Sequence, residues 1–197
     1  MASKKSSIAI IALCQVGAMA LWFSASAVVP SLVAQYGLSK FMQAALTSAV
    51  QAGFVVGCLV SAIFGLADRL DPRRFIAAAA LVGAAANALL LLIDPTTMTA
   101  PLLRFVTGMA MAGVYPVGMK LASTWARGDM GLMVGILVGA LTFGSATPHL
   151  FNVIGGVDWR IPVAIASASA TGAAVLIGFA GIGPARTPAP RFDPRAV

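Results

Sequence analysis

The sequence contains no glutamate, and its only acidic residues are six aspartates: Asp68, Asp71, Asp94, Asp129, Asp158 and Asp193. It has one histidine, His149, and two cysteines, Cys14 and Cys58. General acid–base pairs, metal sites and His-assisted nucleophiles need several such side chains to converge. The inventory therefore argues against an enzyme, a bound metal or a cofactor. Both cysteines lie inside apolar runs and read as small buried hydrophobes rather than a disulfide framework. Charge of either sign is scarce, at 10% of residues against about 25% in a typical soluble domain. That scarcity, in a largely apolar chain, excludes a disordered polypeptide and an ordinary cytosolic enzyme. It also removes nucleic acid as the explanation of the formal charge of +7. In a membrane protein an excess of Lys and Arg marks cytoplasmic loops instead.

What is present is apolar: 59% hydrophobic residues and a mean hydropathy of +0.94. A spanning helix needs about 20 predominantly apolar residues. Six stretches meet that length, at approximately 8–29, 41–67, 75–93, 99–122, 130–152 and 161–182. Breaks fall at Pro30 to Gly37, Asp68 to Arg74, Asp94-Pro95, Trp125 to Asp129 and Gly155 to Arg160. Lys4 and Lys5 followed by an apolar run and Ala25-Ser26-Ala27 imitate a signal peptide. The run is longer than the roughly 7–15 residues of a signal-peptide core, so it is read as the first span. The expected fold is all-α, a polytopic bundle over residues 1–183 with a Pro- and Arg-rich tail over 184–197.

Orientation follows from the basic residues. The N-terminus, the second and fourth breaks and the C-terminus hold Lys4, Lys5, Arg69, Arg73, Arg74, Lys120, Arg127, Arg186, Arg191 and Arg195. The first, third and fifth breaks hold only Lys40 and Arg160. The positive-inside rule then puts both termini in the cytoplasm of a multi-pass protein of the cell (inner) membrane. Both ends on one side requires an even number of spans, and six satisfies it. Glycines recur within spans: Gly53 and Gly57; Gly108, Gly113 and Gly118; Gly131, Gly135, Gly139 and Gly144. They are expected to be helix-packing surfaces.

The second break reads Gly65-Leu66-Ala67-Asp68-Arg69-Leu70-Asp71-Pro72-Arg73-Arg74. It resembles the signature loop between the second and third helices of the major facilitator superfamily, with Gly65, Leu66, Ala67, Asp68, Arg69, Arg73 and Arg74 in place. Asp71-Pro72 stands where that family usually has a glycine. Arg104 to Gly108 resembles the family's Arg-x-x-x-Gly element, and Asp158-Trp159-Arg160 its Trp-Arg pair opening the sixth helix. The resemblance implies the N-terminal six-helix half of a secondary transporter working by alternating access. It also implies a gating loop of Gly65, Asp68, Arg69, Arg73 and Arg74. Asp68 would face a helix N-terminus of a second six-helix half, where the macrodipole is positive. That half would come from the same polypeptide, a second copy or a separate chain. The sequence is then either an N-terminal fragment or a half-sized protein. A half-sized protein raises the alternative of a non-transporting membrane subunit that scaffolds a larger complex.

The expected partners are the lipid bilayer, the second half and a small-molecule solute. Polar residues inside spans usually face the bundle interior or a water-filled cavity. In the first span Gln15 and Trp22 share a face, and in the second Gln43, Thr47, Gln51, Cys58 and Ser61 form a stripe with Phe54. Arg104 lies about 8 Å into the fourth span by helix rise, with Tyr115 on its face. A charge at a span centre costs about 2.5–3.5 kcal/mol on insertion scales, which marks Arg104 for a function. An anion, or a zwitterion with a carboxylate, is its natural cargo. His149 could titrate near neutral pH. The expected solute cavity is Gln15, Trp22, Gln51, Arg104, Tyr115 and His149.

Overall fold

The computed structural model describes residues 3–153 and 158–185, with the side chains of 147–153 excepted. The chain forms α1 (Lys4–Tyr36), α2 (Lys40–Phe64), the single turn α3 (Leu66–Arg69), α4 (Pro72–Leu89), α5 (Thr99–Met111), α6 (Tyr115–Ser123), α7 (Met130–Val153) and α8 (Arg160–Leu176). No strand occurs among the described residues. Five segments are long and apolar enough to cross a bilayer: Lys4–Tyr36, Lys40–Phe64, Pro72–Leu92, Thr99–Ser123 and Arg160–Phe179. The shorter apolar stretch Met130–Ala146 of α7 joins them. The fourth span is thus two helices, α5 and α6, joined at Ala112–Val114.

Local chemistry sets the ends. Ser3 and Ser39 cap α1 and α2, accepting from the Ser6 and Met42 amides at 3.1 and 3.2 Å. Asp71 caps α4 and Pro72 occupies its first turn, a position where a missing N–H costs nothing. The Asp-Pro departure from the family motif is therefore a helix start. Gly65 ends α2 at φ 61°, a conformation that a residue with a Cβ resists.

Neighbour relations repeat. α1 lies against α7 and α8, α5 lies against α2 and α4, and α4 lies against α8. Exchanging the first three spans for the last three preserves this pattern. Three spans are an odd number, so the two triplets run in opposite senses across the bundle, an inverted repeat within one half.

The crossings depend on missing side chains. A Cβ on Gly53 would strike the Phe105 carbonyl oxygen, and one on Gly108 would strike that of Val50. A Cβ on Gly57 would come within 2.7 Å of the Met109 oxygen. α2 and α5 therefore meet backbone to backbone, the close approach that small residues permit in lipid. α7 meets α1 the same way, with Gly144 against Val16 at 2.7 Å. The rest of the α7 glycine stripe corrects the packing expectation. A Cβ on Gly131, Gly135 or Gly139 would meet nothing within 4 Å, because those glycines lie on the exposed face of α7 while Met133 and Leu137 on its other face are buried in the core.

One end of the bundle collects the basic breaks. Lys4 pairs with Asp129 at 2.6 Å, and Lys120 pairs with Asp68 and donates to the Ala67 carbonyl at 3.1 Å. The segment after α8 is fastened to the same end. The Gly181 amide donates to Ser7 Oγ at 3.0 Å and the Gly183 amide to Thr124 Oγ1 at 2.8 Å. The Trp125 indole donates to the Gly181 carbonyl at 3.0 Å, and the Ala185 amide to the Thr124 carbonyl at 3.1 Å. At the opposite end Trp159 is buried against Val28, Leu32 and Leu46, its ring edge-on to Tyr36 with centroids 6.4 Å apart.

Two substitutions separate the crossing from the open stripe. Gly108→Val should destabilise the bundle by about 1–3 kcal/mol or more through overpacking, read as a lower thermal midpoint in detergent. Gly135→Val should leave that midpoint nearly unchanged. Equal effects at both positions would contradict the crossing described.

Candidate functional site

The fourth span breaks at its middle. The Gly113 and Val114 amides bond back three residues, to Ala110 and Met111 at 2.9 and 3.0 Å. Pro116 has no N–H to give to the Ala112 carbonyl. Gln15 braces the break from α1: its Nε2 donates to the Tyr115 carbonyl at 3.3 Å and fills the notch left by Gly118. Gln15 is buried, and its Oε1 has no partner among the described residues.

Beside the break, side chains of four helices line a half-open cavity of about 350 Å³. Met19, Trp22 and Phe23 come from α1, Phe54 from α2 and Tyr115 from α6. Leu141, Thr142 and Ser145 come from α7. Trp22 and Phe54 stand edge to face, with centroids 5.0 Å apart and planes at 72°. The volume is that of a small-molecule site, and such sites are mostly apolar with a few convergent polar groups.

Arg104 lies behind this wall. It is 0% exposed. Its Nη1 donates to the Leu21 carbonyl at 2.8 Å and to Asn87 Oδ1 at 3.2 Å, and its Nη2 donates to the Trp22 carbonyl. Asn87 completes the network. Its Oδ1 accepts from Ser24 Oγ at 2.8 Å. Its Nδ2 donates to the Val163 carbonyl at 3.1 Å and Ser167 Oγ at 3.0 Å. One guanidinium and one amide therefore join α1, α4, α5 and α8. Arg104 does not front the cavity: it is fully buried, its Nη groups are bonded to helix carbonyls and Asn87, and only its Nε lacks a partner among the described residues.

Of the residues expected to meet solute, the fold brings Trp22 and Tyr115 together on the cavity wall. Gln15 and Arg104 lie one layer behind. Gln51 is exposed on the outer side of α2 and does not line the cavity. The His149 side chain lies outside the described residues. Sequence reasoning passed over Asn87, whose signal was a lone amide in an alanine- and leucine-rich span. It also passed over Thr142 and Ser145, whose hydroxyls carry no distinctive spacing.

The loop of Gly65 to Arg74, expected to gate, lies at the basic end. Asp68 is engaged by Lys120, and the two line a second cavity of about 360 Å³ with Thr124 and Ala185. Arg69 and Arg74 are exposed. Arg73 donates through Nη2 to Asp71 Oδ2 at 3.1 Å. That bond, with the Arg73 and Arg74 amides, holds the Asp71 carboxyl below its ordinary range. Cys58, half-buried, lines a smaller cavity of about 210 Å³ with Gly65, Asp68 and Pro116.

The family model of the Major Facilitator Superfamily matches residues 11–196. The chain belongs to the major facilitator superfamily. It is a membrane protein of a transporter family, and the loop after α2, the Arg104–Gly108 element and the Trp159-Arg160 start of α8 are this chain's versions of the motifs that announced it. No curated protein matches the chain.

Asn87→Leu should destabilise the bundle by about 1–3 kcal/mol through stranded buried polar groups. The cost should be smaller in an Arg104→Met background, where no cation remains to be stranded. A double-mutant cycle on thermal midpoints reads the difference, and strict additivity would show that the two side chains do not cooperate.

Asp71→Ala should cost about 0.5–2 kcal/mol as a lost helix cap. Because the folded carboxyl is held low, its contribution is present above about pH 4. It is lost as pH falls through the lowered folded value. The wild-type advantage over Asp71→Ala in urea unfolding should therefore shrink below about pH 4 and stay flat above about pH 5.

Proposed function

We propose that this chain supplies a six-span half of a secondary transporter, which moves a small solute by rocking against a second six-helix half. The observation that carries the reading is the aromatic cavity at the meeting of α1, α2, α6 and α7, set beside the break in the fourth span. A site formed where a discontinuous helix meets its neighbours is the usual construction in secondary transporters. The break gives the fourth span a place to bend, and the Asp68 loop gives the basic end a contact that can open and close. In this reading both termini are cytoplasmic and the protein resides in the inner membrane. The exposed apolar face of α2, with Val55, Leu59 and Ile63, meets lipid or the second half. When Asp68 leaves Lys120 it caps a helix of that half.

Cys58 reports on this motion from its place beside Asp68. In inside-out vesicles an impermeant maleimide should label Cys58 while the buried Cys14 stays unreactive. Lys120→Ala frees Asp68 for the opposite half and should slow that labelling at least threefold by favouring the closed cytoplasmic side. Solute counterflow in proteoliposomes should be lost with Trp22→Ala under normal insertion. An unchanged labelling rate together with unchanged counterflow would overturn the reading.

A further inference from the structure

We propose that the cavity beside the fourth-span break takes an uncharged aromatic solute of one or two rings that carries a hydrogen-bond donor. The proposal rests on the transport reading only for the purpose of the site. The chemistry comes from the wall itself.

A cation finds no counter-charge there. None of the six aspartates lies in a span, and among the described residues no acidic side chain lines the cavity. The Arg104 guanidinium sits directly behind Trp22, bonded to its carbonyl, so a second positive charge would meet repulsion in a medium of low dielectric.

An anion fares no better. Arg104, the cation behind the wall, is sealed at 0% exposure. Its Nη donors are aimed at the Leu21 and Trp22 carbonyls and Asn87, and its Nε, without a partner among the described residues, is buried away from the cavity lining. To reach a solute it would have to abandon those carbonyls, leaving them bare in a buried place. The α7 hydroxyls cannot substitute. Thr142 Oγ1 donates to the Val138 carbonyl at 3.0 Å and Ser145 Oγ to the Thr142 carbonyl at 2.7 Å. Each hydroxyl has one proton and two lone pairs, so with the proton donated to its own helix it offers only lone pairs. Those oxygens accept and suit a solute O–H or N–H, while the Trp22 indole and the Tyr115 hydroxyl are neutral donors. With no cation among the lining residues, the wall offers a carboxylate no counter-charge.

The rings decide the remainder. Trp22 and Phe54, edge to face at 5.0 Å, present a face and an edge together, the two surfaces with which a further ring stacks or forms a T. Tyr115 and the thioether of Met19 continue this polarizable wall. A dry cavity of about 150 Å³ accommodates benzene, so about 350 Å³ accommodates one ring with substituents, or two rings. The charge of Arg104, which by sequence pointed to an anionic cargo, serves instead to exclude cations from a neutral site.

The test uses the full polypeptide as its host makes it, in nanodiscs of zwitterionic lipid, with four probes that share a size. These are benzyl alcohol, sodium benzoate, benzylammonium and cyclohexylmethanol. Saturation-transfer NMR gives each dissociation constant, and a Ser145→Trp variant, which fills the cavity, serves as the blank for partition into lipid. Benzyl alcohol should bind at least fivefold more tightly than each of the other three. Its affinity should fall at least threefold in Phe54→Leu, which keeps bulk without the ring, and vanish in Ser145→Trp.

Tighter binding of benzoate or of the ammonium would overturn the proposal, as would equal binding of cyclohexylmethanol. Benzyl alcohol signals unchanged in Ser145→Trp would show lipid partition and overturn it too. An absence of saturable binding by all four would show the cavity filled by the second half, and the proposal would fall with it. Because no gradient is involved, benzyl alcohol binding without Cys58 motion would sink the transport reading and leave the site. Motion with a preference for benzoate would do the reverse.

Discussion

A guanidinium buried among helices without a counter-ion is the constraint around which this bundle is arranged. Arg104 finds no carboxylate in any span, and desolvating a charge is expensive unless its donors are satisfied. The solution is to recruit main-chain carbonyls to the two Nη groups, which leaves Nε alone without a partner among the described residues. Leu21 and Trp22 of α1 turn their oxygens to it, and Asn87 of α4 relays the network to Val163 and Ser167 of α8. Four helices must therefore keep their mutual register, or the cation is stranded. The face of Trp22 that lines the cavity is held in place from behind by this bond, so the rigidity of the wall derives from the same interaction as the stability of the bundle.

The glycine crossings supply the complementary element. α2 and α7 each combine buried side chains, Met42 and Leu46 for α2 and Met133 and Leu137 for α7, with a backbone crossing, at Gly53 and Gly108 for α2 and at Gly144 for α7. Contacts made by absent side chains are short and smooth. They bring Phe54 and Ser145, the α2 and α7 parts of the wall, toward Trp22 without interlocking. The core pairs α1–α8 and α4–α5 are also joined by buried polar bonds, which the glycine crossings of the flanking helices do not need.

Much of the fold could be read in the residues. The six apolar stretches lie where helices form, the Pro72 start follows from Asp-Pro chemistry, and the basic breaks do gather at one end. The break in the fourth span was less legible, since Gly113 and Pro116 are tolerated in membrane helices and only the three-residue bonds reveal the bend. The site was legible in part. Trp22 and Tyr115 carry enough size to announce a wall, but Arg104 was read by its charge alone. Whether a charge faces a solute or a carbonyl depends on what the neighbouring helix turns toward it, and spacing along one helix cannot supply that. The glycines of α7 show the same limit: Gly131, Gly135 and Gly139 repeat as regularly as a packing seam, yet they lie on the exposed face, and the helix packs through Met133, Leu137 and Gly144 instead.

The bonds from Gly181, Gly183 and Ala185 to Ser7, Thr124 and Trp125 have a mechanical meaning. A tether usually hangs from the last helix that precedes it. Here the chain leaving α8 is stitched within a few residues to the end of α6 and the start of α1. A tug on residues beyond Ala185 is therefore borne first by Thr124, at the lower arm of the broken fourth span, and only afterwards by α8. The same short helix that takes up these bonds at Thr124 presents Tyr115 to the cavity at its other end, next to the break at Ala112–Val114.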